Sequence, residues 1–309
     1  MTQAGFWRNL QQDNRRITIG QYGQVNRVWF LAPQGAGGPF GGFAMPPAGV
    51  FSTFAALKPN LRSRDVIYLV GVLREQAVAP DDVYDVLMVG AADTPRQATD
   101  SGEPTGGGAT WMAPASGAVA ATPLLEVVRQ GWTFMNIAFN PHTNSAALRF
   151  TTAGGLDEAG QACIDGCLFT GGGTGQIGIE DNGGSGMLQV VNSVFRNLSG
   201  TAILGLTTAN AVPSYWQIKN NLFGQNTNDI KMSLAYANID GNTFQTPGAG
   251  ATNKVISTIA LSGQGSNNAV TNNFFNDVAA GVISTEGYVG SATDHWMNFA
   301  SDAVKFGFA

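Results

Sequence analysis

Three ionisable residues stand where chemistry on a polysaccharide would need them: Arg149, Glu180 and Asp181. Hydrolysing a glycosidic bond takes two carboxylates flanking it. Eliminating across a uronate takes a base such as Lys or Arg at the α-proton. Counted from the Phe that closes a recurring phrase, Arg149 lies ten residues after Phe139, while Glu180 and Asp181 lie eleven and twelve after Phe169. In stacked coils about 4.8 Å apart the three would cluster on one face. An ion pair between neighbouring coils uses the same residues and is the preferred account. After Phe195 the equivalent positions are Gly205, Leu206 and Thr207, so no acidic ladder continues. Asp229 with Lys231, and Asp240, stand isolated, and His142 and His295 are the two histidines of the chain. No nucleophile elbow, phosphate loop or metal-ligand cluster is present. The sequence therefore predicts no metal, no cofactor and no enzyme.

Two other groups point to binding. Tyr215 and Trp216 immediately precede Ile218, and Tyr236 precedes Ile239; a ring facing outward there would stack on a sugar. The alternative is that these rings pack in a subunit seam or under a loop. Residues 1–30 carry Arg8, Arg15, Arg16 and Arg27 against Asp13, four positive charges less one negative, for +3. Together with Trp7 and Trp29 they form a basic, aromatic arm suited to docking on an acidic surface. The competing reading makes this arm the first strand or two of the fold, with the arginines solvated.

The elements that position these groups come from an internal repeat. An aliphatic residue is followed by a small or amide residue two places on and by Phe five places on, as in Ile239–Asp240–Gly241–Asn242–Thr243–Phe244. Six copies end at Phe139, Phe169, Phe195, Phe223, Phe244 and Phe275, in steps of 30, 26, 28, 21 and 31 residues. A second apolar burst follows most copies, alternating with period two in Ile177, Ile179 and in Ile230, Met232, Leu234, the mark of a strand with one buried face. Gly, Asn, Thr and Ser fill the intervals and permit tight turns. Short strands without intervening helix, at a period in the twenties, predict a parallel solenoid in which stacked coils share one core. The Phe residues should form an internal ladder. Asn136, Asn192, Asn220 and Asn272 should occupy one corner, their amides bonded to backbone and to each other.

Ahead of the repeat, Ser52 or Thr53 can cap a short helix that Pro59 curtails. Arg64–Asp65–Val66–Ile67–Tyr68–Leu69–Val70–Gly71 then reads as a buried strand, followed by Val86–Gly90 and Thr110–Met112. This succession resembles the entry coil of right-handed parallel β-helix proteins of the pectin-lyase-like type. The resemblance implies an all-β, single-stranded right-handed β-helix with a short N-terminal capping helix. It extends to lyases, hydrolases and non-catalytic phage spike or decoration proteins, so it implies a fold and leaves the activity open. The expected organisation is a docking arm or first strands over 1–30, a loop and capping helix over 31–65, the β-helix over 66–290, and a C-terminal cap over 291–309.

Composition narrows the function. Charged residues make up 12% of the chain, about half the usual share. From residue 131 onward 6 Lys or Arg and 11 Asp or Glu give 17 charges in 179 residues. Flanks buried against copies of the same chain, as in a homotrimer, or flanks of polar ladders, would account for this. No apolar run is long enough to cross a bilayer, and the opening Met1–Arg8 stretch lacks the apolar core of a secretory signal. Cys163 and Cys167, about 13 Å apart if extended, are expected to be free thiols. Three functions follow: a homotrimeric phage virion structural protein (capsid decoration or short spike), a tailspike-type polysaccharide depolymerase, or a glycan-binding adhesin. The first is preferred. It implies assembly in the host cytoplasm, display on the virion surface, and contact with a major capsid or tail protein and a host glycan, but not with nucleic acid or membrane.

Overall fold

The computed structural model describes residues 27–33, 49–91, 109–151, 159–183, 185–205, 213–245, 256–257, 267–275, 288–289 and 295–300. Every strand pairing among them is parallel, in one 18-stranded and one 8-stranded sheet. The first five copies of the phrase each break into two short strands of the larger sheet and the last, Val270–Phe275, lies in one strand, Ala269–Phe275, while strands from the apolar bursts form the smaller sheet. Three interior rows result. Ile67, Met88, Phe134, Ile164, Val190, Ile218, Ile239 and Val270 stack in the first. Trp111, Phe139, Phe169, Phe195, Phe223, Phe244 and Phe275 stack in the second. Leu125, Leu148, Ile179, Ile203 and Ile230 stack in the third. The architecture is a right-handed parallel β-helix, the hand that twisted parallel strands impose on their connections.

The phrase ends in Phe because the rings lie one strand spacing apart. Centroids from Phe139 to Phe275 are separated by 5.1, 4.7, 5.0, 4.8 and 5.0 Å, with interplanar angles of 14° or less. All six rings are essentially buried. Strand pairing sets the spacing and the rings fill it.

The corner between the phrase's two strands differs from expectation in one respect. Asn136, Asn192, Asn220 and Asn272 do occupy it, with Gly166 and Gly241 on the intervening coils, and all six have φ between 52° and 66°. This left-handed turn, which Asn and Gly tolerate best, lets the N–H reach the next coil, as from Asn192 to the Lys219 carbonyl at 3.1 Å. Their side chains, however, do not form the ladder. Asn192 and Asn272 donate to Asp165 and Asp240 at 2.9 Å. The stacked amides are one residue further on, at Asn221, Asn242 and Asn273. There Asn221 Nδ2 donates to Asn242 Oδ1 at 3.0 Å, and Asn242 Nδ2 to Asn273 Oδ1 at 2.9 Å. Each Oδ1 also accepts the backbone N–H of the coil before it, from Ser193, Asn221 and Asn242 in turn. Leaving a left-handed residue turns the next side chain inward, so the interior position is the one after the corner. Cys167 and Ser193 hold it on earlier coils, with the Cys167 N–H donating to Ser193 Oγ at 3.1 Å. Both cysteines are free, and burial pushes the Cys163 thiol up to about 11 and that of Cys167 to about 12, so neither is a thiolate at neutral pH.

Of the two readings of residues 1–30, Val28–Leu31 follows the first-strand one, and at its other end the solenoid extends past the expected bound. Val28–Leu31 is not a detached arm: it pairs with Val50–Phe51 on one side and Val66–Leu69 on the other. At the other end His295–Ala300 pairs with Ala269–Phe275, so a segment expected to be a cap is a further rung. From Val28–Leu31 to His295–Ala300 the phrase's first strand stacks ten deep among the described residues. The helix, Phe54–Leu57, is capped by Thr53 Oγ1, which accepts from Ala56 N–H at 3.1 Å, and by Glu75, which accepts from Phe54 and Ala55 N–H. Its Phe54 and Leu57 are buried in the core. Beside this end Phe30, Val66, Tyr68, Leu87 and Val89 form a second apolar cluster on the opposite face of the sheet, which is why Val66–Leu69 is buried throughout.

Phe223→Ala removes a ring stacked on both sides and should cost about 3–5 kcal/mol. Urea denaturation checks this; unchanged stability would refute the ladder.

Candidate functional site

Strand alternation decides what the three ionisable candidates can do. On the smaller sheet Arg149 is in register with Glu126 on one side and Glu180 on the other, whereas Asp181 is in register with Phe150. Arg149 and Glu180 are therefore partners. Arg149 Nε donates to Glu180 Oε2 at 2.6 Å, and its Nη2 donates to the Ala121 carbonyl at 2.8 Å. Asp181 lies on the other face, fully buried, and accepts from Ser185 N–H at 3.0 Å and from the Ser185 hydroxyl. The three do not cluster, because consecutive residues of a strand point to opposite faces. Glu126, which the sequence reading passed over because its coil precedes the repeats, completes the outward row and accepts from Thr151 Oγ1 at 2.8 Å. The row continues to Leu204 and Lys231. Arg149 thus stands in register between two carboxylates and is ion-paired with one of them, Glu180.

Three further candidates are engaged as well. Asp240 accepts from Thr271 Oγ1 at 2.8 Å as well as from Asn272. His142 is half-buried beside the Thr143 carbonyl. Arg27 pairs with Asp65 at 3.0 Å, and Trp29 Nε1 donates to the same carboxylate at 2.8 Å. These two members of the expected docking set are thus committed within the first coil, because Val28–Leu31 is a strand of the sheet. Trp7, Arg8, Arg15 and Arg16 lie outside the described residues.

The aromatic candidates separate in the same manner. Trp216 is fully buried and donates its Nε1–H to the Ser185 carbonyl at 2.7 Å, so it is a core residue and no sugar platform. Tyr215 and Tyr236, on consecutive coils, are 56% and 54% exposed and stack on each other with centroids 5.4 Å apart at 14°. They belong to a second left-handed corner, three residues before the phrase's aliphatic position. Asp85, Gly131, Gln161, Met187, Tyr215, Tyr236 and Asn267 occupy it, all with φ between 54° and 78°. Here too the N–H reaches the next coil, from Met187 to the Ser214 carbonyl and from Tyr215 to the Ala235 carbonyl. A bulky L-residue in this conformation costs about 1–2 kcal/mol. Sequence reading missed the corner because Met and Tyr are not turn signals. Two residues further along each strand Gln189 and Gln217 are exposed and Asn238 is half-buried; the buried Asn238 Oδ1 has no hydrogen-bond partner.

No family model matches the chain, and no curated protein matches it significantly. Among solved structures it is similar to a mutant DFA-IIIase from Arthrobacter chlorophenolicus A6, at 16% identity and a TM-score of 0.38, over 76% of this chain and 74% of that one. It is also similar to the Dettilon tailspike protein, at 12% identity and a TM-score of 0.29, over 88% of this chain and 68% of that one. Nothing about the chemistry of this chain follows from either.

One buried acid remains. Asp229 faces inward with Asn226 Nδ2 donating to it at 2.9 Å, and burial raises its pKa to about 7. The folded state therefore keeps a proton that the unfolded state loses near pH 4. This favours folding at low pH, and the advantage is lost as pH rises from about 4 to about 7, by at most about 4 kcal/mol. Asp229→Asn should flatten this part of the stability–pH profile. It should be more stable than the parent at pH 8 and show no such gain near pH 4, as measured by thermal denaturation across that range.

Proposed function

We propose that the chain is a non-catalytic phage virion protein, a capsid decoration or short spike, which assembles as a homotrimer and displays its β-helix on the particle. The observation that carries this reading is that the outward-facing carboxylates are engaged by neighbouring side chains: Glu180 by Arg149, Glu126 by Thr151, Asp240 by Thr271 and Asn272. Such a wall serves as a rigid display surface. Side-by-side assembly draws support from the second phrase strand, whose row opposite the phenylalanines is buried at Ala138 and Leu168 but half-buried at Val194, Leu222 and Thr243 and ends at Phe274. Phe274 is 39% exposed. A charge-poor apolar strip repeated on identical copies suits cyclic symmetry.

The docking role now falls to Trp7, Arg8, Arg15 and Arg16. Deleting residues 2–26 should leave a folded trimer that no longer sediments with virions, whereas the full chain should sediment with them and be labelled on their surface by antibody. A full-length chain that is a monodisperse monomer and absent from particles would end the virion reading. An unfolded truncation would place those residues in the fold and remove them from docking.

Reducing-sugar and unsaturated-uronate assays over host polysaccharides should remain at background. Activity that disappears in Glu180→Gln or Glu126→Gln would favour the depolymerase alternative.

A further inference from the structure

Left-handed residues recur at several turns of the solenoid, and the two turns that flank the phrase's first strand are filled differently. Between the phrase's strands the described repeats use Asn or Gly alone, the residues that tolerate positive φ. At the corner ahead of the phrase three consecutive coils instead carry Met187, Tyr215 and Tyr236, with φ of 57°, 58° and 54°. They are among the most exposed large apolar residues of the described chain, at 48%, 56% and 54%. Burial therefore repays little of their conformational cost. Strained positions of this kind mark sites of contact. The neighbouring outward column, Gln189, Gln217 and Asn238, repeats on the same three coils by strand register. It offers amide donors and acceptors without charge, exposed at Gln189 and Gln217 and half-buried at Asn238. The nearby carboxylates of Asp165 and Asp240 already accept from Asn192 and from Thr271 and Asn272.

We infer that this face, a Met–Tyr–Tyr edge beside an amide column, binds an uncharged glycan lying along the solenoid axis. The apolar faces of sugar rings suit the tyrosines, and their hydroxyls, both donors and acceptors, suit the amides. One coil per sugar residue sets the repeat. The mutual stack of Tyr215 and Tyr236 fixes both rings before the ligand arrives, so little side-chain freedom is lost on binding. The site does not depend on where the chain is displayed.

Affinity electrophoresis of the purified full-length chain tests this, in gels containing dextran, laminarin or galactomannan as neutral probes and polygalacturonate as the acidic one. At least one neutral polymer should retard the chain. Tyr215→Asn with Tyr236→Asn should weaken that retardation at least tenfold without lowering the melting temperature, because Asn accepts the left-handed turn. Gln217→Ala, which leaves the corner intact, should weaken it too. Retardation by no neutral polymer overturns the inference. So does retardation by polygalacturonate alone, which would shift recognition to Lys219, or undiminished retardation of the tyrosine pair variant. Should that variant unfold, undiminished retardation of Gln217→Ala overturns it equally. Each outcome is read on the isolated chain and is independent of particle binding.

Discussion

The hydrogen bond that runs along the axis from one coil to the next is the constraint from which the rest of this fold follows. Within a strand any residue can make it. At a corner it needs a residue willing to turn left-handed, and behind each such corner it needs an interior group to accept the next N–H. Asn221, Asn242 and Asn273 meet the second need with one side chain apiece: the oxygen takes the N–H of the preceding coil, and the nitrogen returns to the carbonyls of Val190, Ile218 and Ile239. A buried backbone group left without such a partner would cost about as much as a core methylene or two gains. The apolar rows can stack only because the corners are satisfied first.

A second consequence concerns chemistry. Where strands alternate and coils repeat, two ionisable residues adjacent in sequence are driven apart, and two a whole coil apart are brought together. Glu180 and Asp181 are the first case, and Arg149 with Glu180 the second. The same pleat that makes a β-helix a good array of outward residues makes it poor at assembling a site from one stretch of chain. A cleft on such a wall has to be composed across coils, and the wall around Arg149 has instead been composed into an ion pair.

Much of the fold was legible because the phrase encodes strand, corner and strand in six residues, and because Phe at its end is a signal that composition alone would not produce. The Arg149–Glu180 pairing was legible too, by counting from those Phe residues. What was not legible depended on direction. Asn220 and Asn221 are adjacent and identical, and only the left-handed turn at the first decides which one faces inward. Trp216 and Tyr215 are likewise neighbours, one in the core and one in solvent, separated by the same device at the other corner. His295–Ala300 escaped because its coil lacks the phrase, although hydrogen bonding to a neighbouring strand asks nothing of the side chains.

The interior rows carry one more implication. Ile164, Val190 and Ile218 are near equivalents, as are Phe169, Phe195 and Phe223, and Ile179, Ile203 and Ile230. Excising the middle coil would set Ile164 against Ile218, Phe169 against Phe223 and Ile179 against Ile230, with every pair still of matching size. Gene-level slippage by a whole period is then almost silent to the core, whereas slippage by one residue inverts a strand. Lineages of such a chain can lengthen or shorten in whole coils, so its axial length is a quantity that evolution can adjust by counting.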